Sequence, residues 1–284
     1  MKDIINITNT CLELSHWPSH FKISTTIIIS KPNKVSYDSS KSFRPIIILN
    51  ILEKLIEKVI GDRLQFHLIS NNFIYQYQLG SLKFKIIPNT SIMLTHFIYT
   101  EWIRNLTTST LAFNISQFFS SLNHHLLPCI LGKAGFDPKV VHFFSNYLVG
   151  KKTQYFWNSF SSPLFNVDVR VGQDSALSPI LSAFYLALIF HILENHLKIL
   201  KIPVSILFFI NDGLFIAQGK FFSLSNSLLF YSYNIASNLL LKFGLTIKHS
   251  KTEVFYFSRL FGAFNPSPLD LSILGGPILY PKKT

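Results

Sequence analysis

Residues 205–217 read SILFFINDGLFIA, two apolar runs on either side of Asn211, Asp212 and Gly213. Asn, Asp and Gly tolerate a positive φ, so this segment predicts a β-hairpin with its tight turn at these three positions. Judged from these residues alone, an ordinary structural turn is favoured over a catalytic one. The rest of the chain has to show whether the carboxylate of Asp212 has functional partners.

Several segments around the hairpin have the patterns of strands and helices. The β-branched run TTIIIS at 25–30 meets the breaker KPN and predicts a buried strand that ends in a turn. Residues 49–69, LNILEKLIEKVIGDRLQFHLI, predict the most secure helix, with its charges on the face opposite the apolar side chains. The expected apolar face carries Leu52, Leu55, Ile56, Val59, Ile60 and Leu64.

The remaining segments complete an alternation of helices with antiparallel strands. STLAFNISQFF at 109–119 predicts a strand that leads into a polar turn. TQYFWN and LFNVDVRV predict two strands joined around Ser161, Ser162 and Pro163. Helices are predicted at 123–136, 142–148, 175–197 and 225–245. Asn123 is the expected cap of the first of these, and Gly244 is expected to end the last. A strand-like segment follows at 246–258. This order predicts an α+β fold rather than a doubly wound α/β sheet.

The chain is strongly basic: its 284 residues include 26 Lys and Arg against 14 Asp and Glu, a formal net charge of +12. Such a balance favours a polyanionic partner, either nucleic acid or an anionic membrane surface. A basic protein without any such partner has the same composition. The charge by itself therefore identifies no function.

The longest apolar stretch, PILSAFYLALIFHIL at 179–193, is interrupted by Ser182 and His191. It is shorter than the ~20 residues of a spanning helix, so we expect no transmembrane segment.

No basic-then-apolar leader opens the chain, which predicts that the protein is not secreted. Only Cys11 and Cys129 are present, too few for a disulfide framework or a zinc site. We therefore expect an intracellular protein, in the nucleus or the cytoplasm.

The chain carries, in order, a series of blocks that are typical of one polymerase family. They are WPSHFK (17–22), KPNKVSYDSSKSFRPIIILNILEKLIEKVIGDRLQFHL (31–68), YQYQLGSLKF (75–84), LAFNISQFFSSLNHHLL (111–127), VGQDSALSPILSAFYLALIF (171–190), FINDGLFIA (209–217) and GLTIKHSKTEVFYFSR (244–259). On these blocks the sequence resembles the reverse transcriptase domain of non-LTR (LINE-type) retrotransposons of the fungal type. No single block is decisive, and the specificity lies in their number and order.

The resemblance implies a fold and a domain organisation. It implies one reverse transcriptase domain over 1–284 with the fingers and palm of a right-hand polymerase, in which an antiparallel palm hairpin packs on helices. The fingers-like part is expected at about 15–110, the palm at about 110–260, and the start of a connection toward the thumb at 261–284. The thumb is expected to be largely missing, as is the endonuclease segment that lies upstream in this family. We therefore expect a truncated and degenerate copy.

The resemblance also implies the chemistry. Members of this family extend a DNA primer on an RNA template with deoxynucleoside triphosphates (dNTPs). Two Mg²⁺ ions on palm carboxylates activate the primer 3′ hydroxyl and hold the triphosphate. The carboxylates come from a strand that ends in Phe-Asp-Ile and from a hairpin turn that reads Asp-Asp. Here the corresponding positions read Phe113, Asn114, Ile115 and Asn211, Asp212.

Two Asn residues thus stand where the resemblance implies metal ligands. An amide offers a neutral oxygen, which cannot offset the charge of a divalent cation as a carboxylate does. Asp212 is then the one acidic ligand retained of three, with Asn114 and Asn211 at degenerate ligand positions. This pattern predicts weak Mg²⁺ binding and a catalytic step that is impaired or absent.

Four further positions match the nucleotide-handling residues of the family, and a fifth departs from them. Arg44 matches a finger arginine that contacts the triphosphate, and Phe119 matches the bulky residue that screens the 2′ position of the nucleotide. Gln173 matches a glutamine near the nucleotide, but Asp174 replaces the Gly that follows it and would repel the phosphates. Lys251 matches a lysine proposed to protonate the leaving pyrophosphate. Without the resemblance, these positions also fit a surface arginine, a core phenylalanine and a solvated lysine.

These residues support functions of different classes. The first is an RNA-directed DNA polymerase domain by descent, with an impaired or inactive catalytic site. The alternative is a nucleic-acid-binding remnant without catalysis, because a basic balance and aromatic-rich strands still allow backbone contacts and base stacking. A non-functional pseudogene product is the third.

Overall fold

The computed structural model describes residues 2–33, 35–80, 82, 87–116, 118–167, 175–259 and 266–281. Its helices are α1 (Lys2–Glu13), α2 (Ile51–Ser70), α3 (Ile87–Ile103), α4 (Phe118–Ser121), α5 (Leu126–Lys133), α6 (Pro138–Leu148), α7 (Ser178–Ile199) and α8 (Phe222–Lys242). Its strands are β1 (Ile23–Ser30), β2 (Phe43–Ile48), β3 (Gln78–Leu79), β4 (Thr107–Asn114), β5 (Lys152–Trp157), β6 (Phe160–Asn166), β7 (Val204–Phe209), β8 (Asp212–Gly219), β9 (Glu253–Phe257), β10 (Leu269–Asp270) and β11 (Ile278–Leu279). This mixture of helices and largely antiparallel strands confirms the predicted α+β class.

The chain forms two compact units, each made of two stretches of sequence. The first unit comprises Met1–Asn71 and Phe119–Ser182, and the second comprises Asn72–Phe118 and Ala183–Thr284. Compactness does not identify the subdomains of a polymerase. The division into fingers and palm at about residue 110 therefore stays a prediction.

The first unit holds a four-stranded sheet with the order β2-β1-β5-β6. Strand β1 pairs antiparallel with β2 and parallel with β5, and β5 pairs antiparallel with β6. The expectation of a buried β1 was wrong, since Thr26 is buried whereas Ile27 and Ile29 on the other face are exposed. A run of β-branched residues marks a strand but does not tell whether one face or both are covered.

The hairpin of β5 and β6 turns earlier than the sequence indicated. Its turn begins at Asn158, which has a φ of 51°. Ser161, Ser162 and Pro163, which were expected to form the turn, lie inside β6. Proline is accepted there because β6 is an edge strand, where a missing N–H need not interrupt the hydrogen-bond ladder.

Helix α2 buries two carboxyl groups together with its apolar side chains. Its buried residues are Glu53, Ile56, Glu57, Ile60, Gly61, Leu64 and Leu68. Leu52 and Leu55, which were expected in the core, are exposed. The expectation that every charge lies on the outer face was therefore wrong for Glu53 and Glu57. The spacing of apolar residues in α2 is compatible with burial of either of two adjacent faces of the helix. Polar partners inside the fold favour burial of the face that carries both carboxyl groups.

Glu57 is the centre of a buried hydrogen-bond network in the first unit. The Tyr147 hydroxyl donates to one carboxylate oxygen at 2.6 Å. The Ser175 hydroxyl and the Ala176 N–H donate to the other oxygen at 2.8 and 2.9 Å. A buried carboxylate is tolerated when donors replace its lost water, so these three bonds hold α2 to α6 and to the residues that precede α7.

Glu53 lies one turn before Glu57 and lacks such donors. Neither of its carboxyl oxygens has a well-formed hydrogen bond within the described residues. Burial and the charge of Glu57 raise the pKa of Glu53 to about 7, and the ammonium of Lys151 opposes this rise. Burial in turn lowers the pKa of Lys151, whose Nζ lies 3.8 Å from the centre of the Tyr147 ring. Glu53 is therefore accommodated as the neutral acid below about pH 7, and its ionisation above that pH is costly.

Replacing Glu53 with a neutral isostere should change how stability depends on pH. Between the unfolded pKa of 4.5 and the folded pKa of about 7, the folded state holds a proton that the unfolded state has lost. The free energy of unfolding therefore falls as pH rises through this window, and the full penalty applies above it. We expect Glu53→Gln to exceed the wild type by on the order of 1 kcal/mol in urea unfolding at about pH 8, with the gap closing toward about pH 5.

Glu13→Gln is the matched control, because Glu13 is exposed at the end of α1. Its unfolding curves should follow those of the wild type across the pH range. Parallel pH profiles for the wild type and Glu53→Gln would contradict the account of a protonated buried carboxyl.

The second unit is built on a five-stranded sheet with the order β3-β7-β8-β4-β9. Strand β4 pairs antiparallel with both β8 and β9, and β7 pairs antiparallel with β8 as the predicted hairpin. Helix α8 packs on β8 and β4. It ends at Lys242, and Gly244 has the expected positive φ of 74°.

Helix α7 is longer than the apolar stretch from which its length was judged. It has 22 residues and, among the described residues, is the one helix long and apolar enough by length and composition alone to cross a membrane. However, 67% of its most apolar stretch of 18 residues is buried inside the fold. Such burial is typical of the core helix of a globular protein.

Candidate functional site

Strand pairing in the second unit brings the three predicted ligand positions together. Asn114 is the last residue of β4 and pairs with Asp212, the first residue of β8. Asp212 also pairs with Phe209 at the end of β7, so Ile210 and Asn211 form the tip of the hairpin. The end of β4 and the turn of the hairpin therefore lie side by side, as the resemblance implied.

The hairpin turn has a different backbone from the one expected. The positive φ of 55° belongs to Ile210, whereas the described φ values of Asn211, Asp212 and Gly213 are not positive. A positive φ at the first of two turn residues is typical of a type II′ hairpin, and it is costly for a β-branched side chain. A backbone hydrogen bond stabilises the turn, because the Ile115 N–H donates to the Asn211 carbonyl oxygen at 2.8 Å.

Gly213 serves packing rather than the turn. It lies in β8, and a Cβ built on it would clash with the ring of Phe113 and come within 2.6 Å of the Phe208 ring. These two rings meet edge to face with centroids 5.6 Å apart. The expectation that Gly213 supplies a positive φ was therefore wrong. The glycine is needed because two aromatic rings close over its backbone.

Gly213→Ala should destabilise the protein, because the added methyl group forces Phe113 and Phe208 apart. Overpacking of this kind costs roughly 1–3 kcal/mol in the free energy of unfolding. Gly132→Ala in α5 is the control, since a Cβ there meets nothing within 4 Å. Alanine in a helix is favoured over glycine by up to about 1 kcal/mol, so the control should be neutral or stabilising. Equal denaturation midpoints for both variants would contradict this reading.

The side chains of the site satisfy one another. The Asn114 Nδ2 donates to Asp212 Oδ1 at 2.5 Å. The Asn211 Nδ2 donates to the Ile115 carbonyl oxygen at 3.4 Å. Asp212 is exposed, and both Asn side chains are half-buried. Each amide thus presents its N–H groups, rather than its oxygen, to the partner it contacts.

This donor set does not fit a pair of Mg²⁺ ions. Mg²⁺ prefers anionic oxygen ligands, and the cluster has one carboxylate, already bonded to an amide. No group of three or more His, Cys, Asp or Glu that could hold a metal ion occurs within the residues that the structure describes. The arrangement is a hydrogen-bonded cluster with a single negative charge.

Lys251 belongs to the same unit as this cluster. It is exposed at the end of a short 3₁₀ helix, His249–Lys251, that precedes β9. The chain just before it reaches the end of β4, because the Lys248 N–H donates to the Asn114 carbonyl oxygen at 2.7 Å. The structure thus places the segment that carries Lys251 beside β4. Its role in proton transfer stays a prediction.

The other predicted nucleotide-binding residues belong to the first unit or lie outside the described residues. Arg44 is exposed on β2, and Phe119 is half-buried in α4, both in the first unit. Gln173 and Asp174 lie outside the described residues. The roles of all four in nucleotide binding therefore stay predictions.

Sequence reasoning missed the buried network around Glu57. A signal was present, because Glu53 and Glu57 are four residues apart and Glu57 stands between Ile56 and Leu64 on the periodic apolar face. Charges at core positions indicate either a wrong choice of helix face or a buried polar network. The partner Ser175 lies in the block that also contains Gln173, which links the network to a motif of the family.

A family model described as reverse transcriptase (RNA-dependent DNA polymerase) matches residues 29–278, most of the chain. A Drosophila melanogaster protein named "Probable RNA-directed DNA polymerase from transposon BS" is 25% identical to the chain over 182 residues. The match covers 64% of this chain and 20% of that protein. The chain therefore spans about a fifth of the length of this relative.

Two solved structures of Candida tropicalis telomerase are similar in fold. The apo enzyme truncated from its C-terminal domain has a TM-score of 0.61 at 14% identity, covering 93% of this chain and 56% of that one. The complex with a TWJ fragment of telomeric RNA has a TM-score of 0.63 at 15% identity, covering 88% and 43%. At these identities the likeness concerns the fold alone, and it confirms the predicted α+β fold of polymerase fingers and palm.

Proposed function

This chain belongs to the reverse transcriptase (RNA-dependent DNA polymerase) family, and on that premise we propose that it is a retrotransposon polymerase domain whose nucleotidyl transfer is lost or strongly impaired. The family match over residues 29–278 and the transposon relative support the origin. The order of its sequence blocks supports the finer assignment to non-LTR elements.

The observation that carries the proposed impairment is the contact between Asn114 and Asp212. In the family, carboxylates at the corresponding positions hold two divalent cations at the reacting oxygens. Here one of those carboxylates is an amide that donates a hydrogen bond to the last remaining one. About 1.4 kcal/mol of barrier corresponds to a tenfold change in rate, so the loss of two charged ligands removes most of the rate enhancement.

Binding of nucleic acid does not depend on the lost carboxylates. A net charge of +12 favours contacts with phosphates, and RNA template binding is what the family implies. The DNA primer and the dNTP are partners in the proposal at the same level of inference. Since RNA templates and dNTPs occur inside cells, the proposal places the protein in the nucleus or the cytoplasm.

Four further residues have proposed roles at the nucleotide. In this proposal Arg44 contacts the triphosphate, Phe119 screens the 2′ position, Gln173 acts near the nucleotide, and Lys251 protonates the leaving pyrophosphate. A planar guanidinium suits the triphosphate because it donates two parallel hydrogen bonds. Asp174 adds a negative charge beside this site and weakens phosphate binding.

Primer extension on an RNA template, with Mg²⁺ and with Mn²⁺, tests the proposal. The wild type should extend poorly or not at all. The triple variant Asn114→Asp, Asn211→Asp, Asp174→Gly should extend on the order of a hundredfold faster or more, because it restores the ligand charges and removes the repulsion. Adding Asp212→Asn to the triple variant should abolish the gain. Robust extension by the wild type, unaffected by Asp212→Asn, would overturn the proposal.

A nucleic-acid-binding remnant is the second candidate, and the basic charge of the chain favours it. Salt-dependent RNA binding without divalent cations, combined with no extension by the folded triple variant, would support this candidate. A chain that neither folds nor binds RNA would support a non-functional product.

A further inference from the structure

We propose that the amide of Asn114 has taken over the structural place of a bound cation beside Asp212, so that the folded state of this chain does not respond to divalent metal. This property is one of folding stability rather than activity, so it goes beyond the proposed function. Thermal unfolding measures it without any catalytic assay. The inference rests on three observations: strand register, the direction of the amide, and the packing behind the site.

The strand register forces the two side chains together. Asn114 and Asp212 form the last pair of the antiparallel ladder between β4 and β8. Opposite residues in such a ladder project to the same face with Cβ atoms about 5 Å apart. A carboxylate at residue 114 would therefore face the Asp212 carboxylate at close range, and like charges directly opposite each other are destabilising.

The amide turns this repulsion into attraction. Asn is nearly the same size and shape as Asp, and its Nδ2 donates to Asp212 Oδ1. The opposite orientation of the amide would place two oxygens in contact, so the N–H orientation follows from the pairing itself. A hydrogen bond to a charged acceptor is stronger than one between neutral groups. The pair thus needs no cation to hold it.

The packing behind the site also stands without metal. Phe113, next to Asn114 on β4, is 2% exposed and stacks on Phe215 with ring centroids 5.1 Å apart. Ile115 on its other side is 1% exposed and forms a bridge with Ile247. Apolar burial on both flanks fixes the end of β4 independently of what the exposed carboxylate binds.

Thermal unfolding of the full chain with a chelator and with millimolar Mg²⁺ or Mn²⁺ tests the inference. The wild type should have the same Tm in all conditions. Asn114→Asp should have a Tm several degrees lower than the wild type in chelator, and divalent cations should restore at least half of that loss. Asn114→Ala should lose stability without any response to metal, because it removes the donor and adds no charge.

Asn238→Asp is the matched control, since Asn238 Nδ2 donates to the neutral Asn234 Oδ1 on the exposed side of α8. Its Tm should not depend on divalent cations. A wild-type Tm that rises with Mg²⁺ as much as that of Asn114→Asp would overturn the inference. So would an Asn114→Asp variant that matches the wild type in chelator. If Asn114→Asp does not fold in chelator, folding on addition of Mn²⁺ supports the inference and continued failure contradicts it.

Primer extension by the wild type would contradict the proposed function. The dependence of the melting temperatures on metal would still decide whether the Asn114–Asp212 pair replaces a cation. The two results are therefore distinguishable.

Discussion

The antiparallel pairing of β4 with β8 is the constraint on which the second unit and its candidate site depend. It is set by aromatic packing, because Phe113 and Phe208 close over the bare backbone of Gly213. The same register ends with Asn114 opposite Asp212. The scaffold and the chemistry of the site are therefore separable: substitutions at the exposed end of the ladder alter the charge of the site without removing the contacts that align it.

The two units accommodate their carboxyl groups in three different ways. Glu57 is buried and receives three hydrogen bonds, whereas Glu53 is buried without good donors and has its pKa raised to about 7. Asp212 is exposed and receives the Asn114 amide. In each case the cost of burying or pairing a carboxyl group is reduced by local donors or by a raised pKa.

Periodicity in the sequence predicted several elements correctly and their surroundings poorly. Helices α2, α7 and α8 follow directly from apolar spacing, whereas α1 and α3 were not predicted. The β7–β8 hairpin was predicted from its two apolar runs, but with its turn too far along the chain. The inner face of α2 and the turn that begins at Asn158 were not predicted, because tertiary partners decide which of two allowed faces or turns is used. Asn114 and Asp212 were found through the order of the family's blocks. Glu57 was missed because its partners at 147 and 175 are distant in sequence.

If the Asn114–Asp212 hydrogen bond needs no cation, Asp212 should contribute nothing to Mn²⁺ binding, and a Mn²⁺ titration followed by electron paramagnetic resonance measures that contribution. The free Mn²⁺ signal falls when a protein binds the ion, and comparison of the wild type with Asp212→Asn isolates the contribution of this site. We expect identical titrations for the two proteins. Stoichiometric Mn²⁺ binding by the wild type that Asp212→Asn abolishes would contradict it.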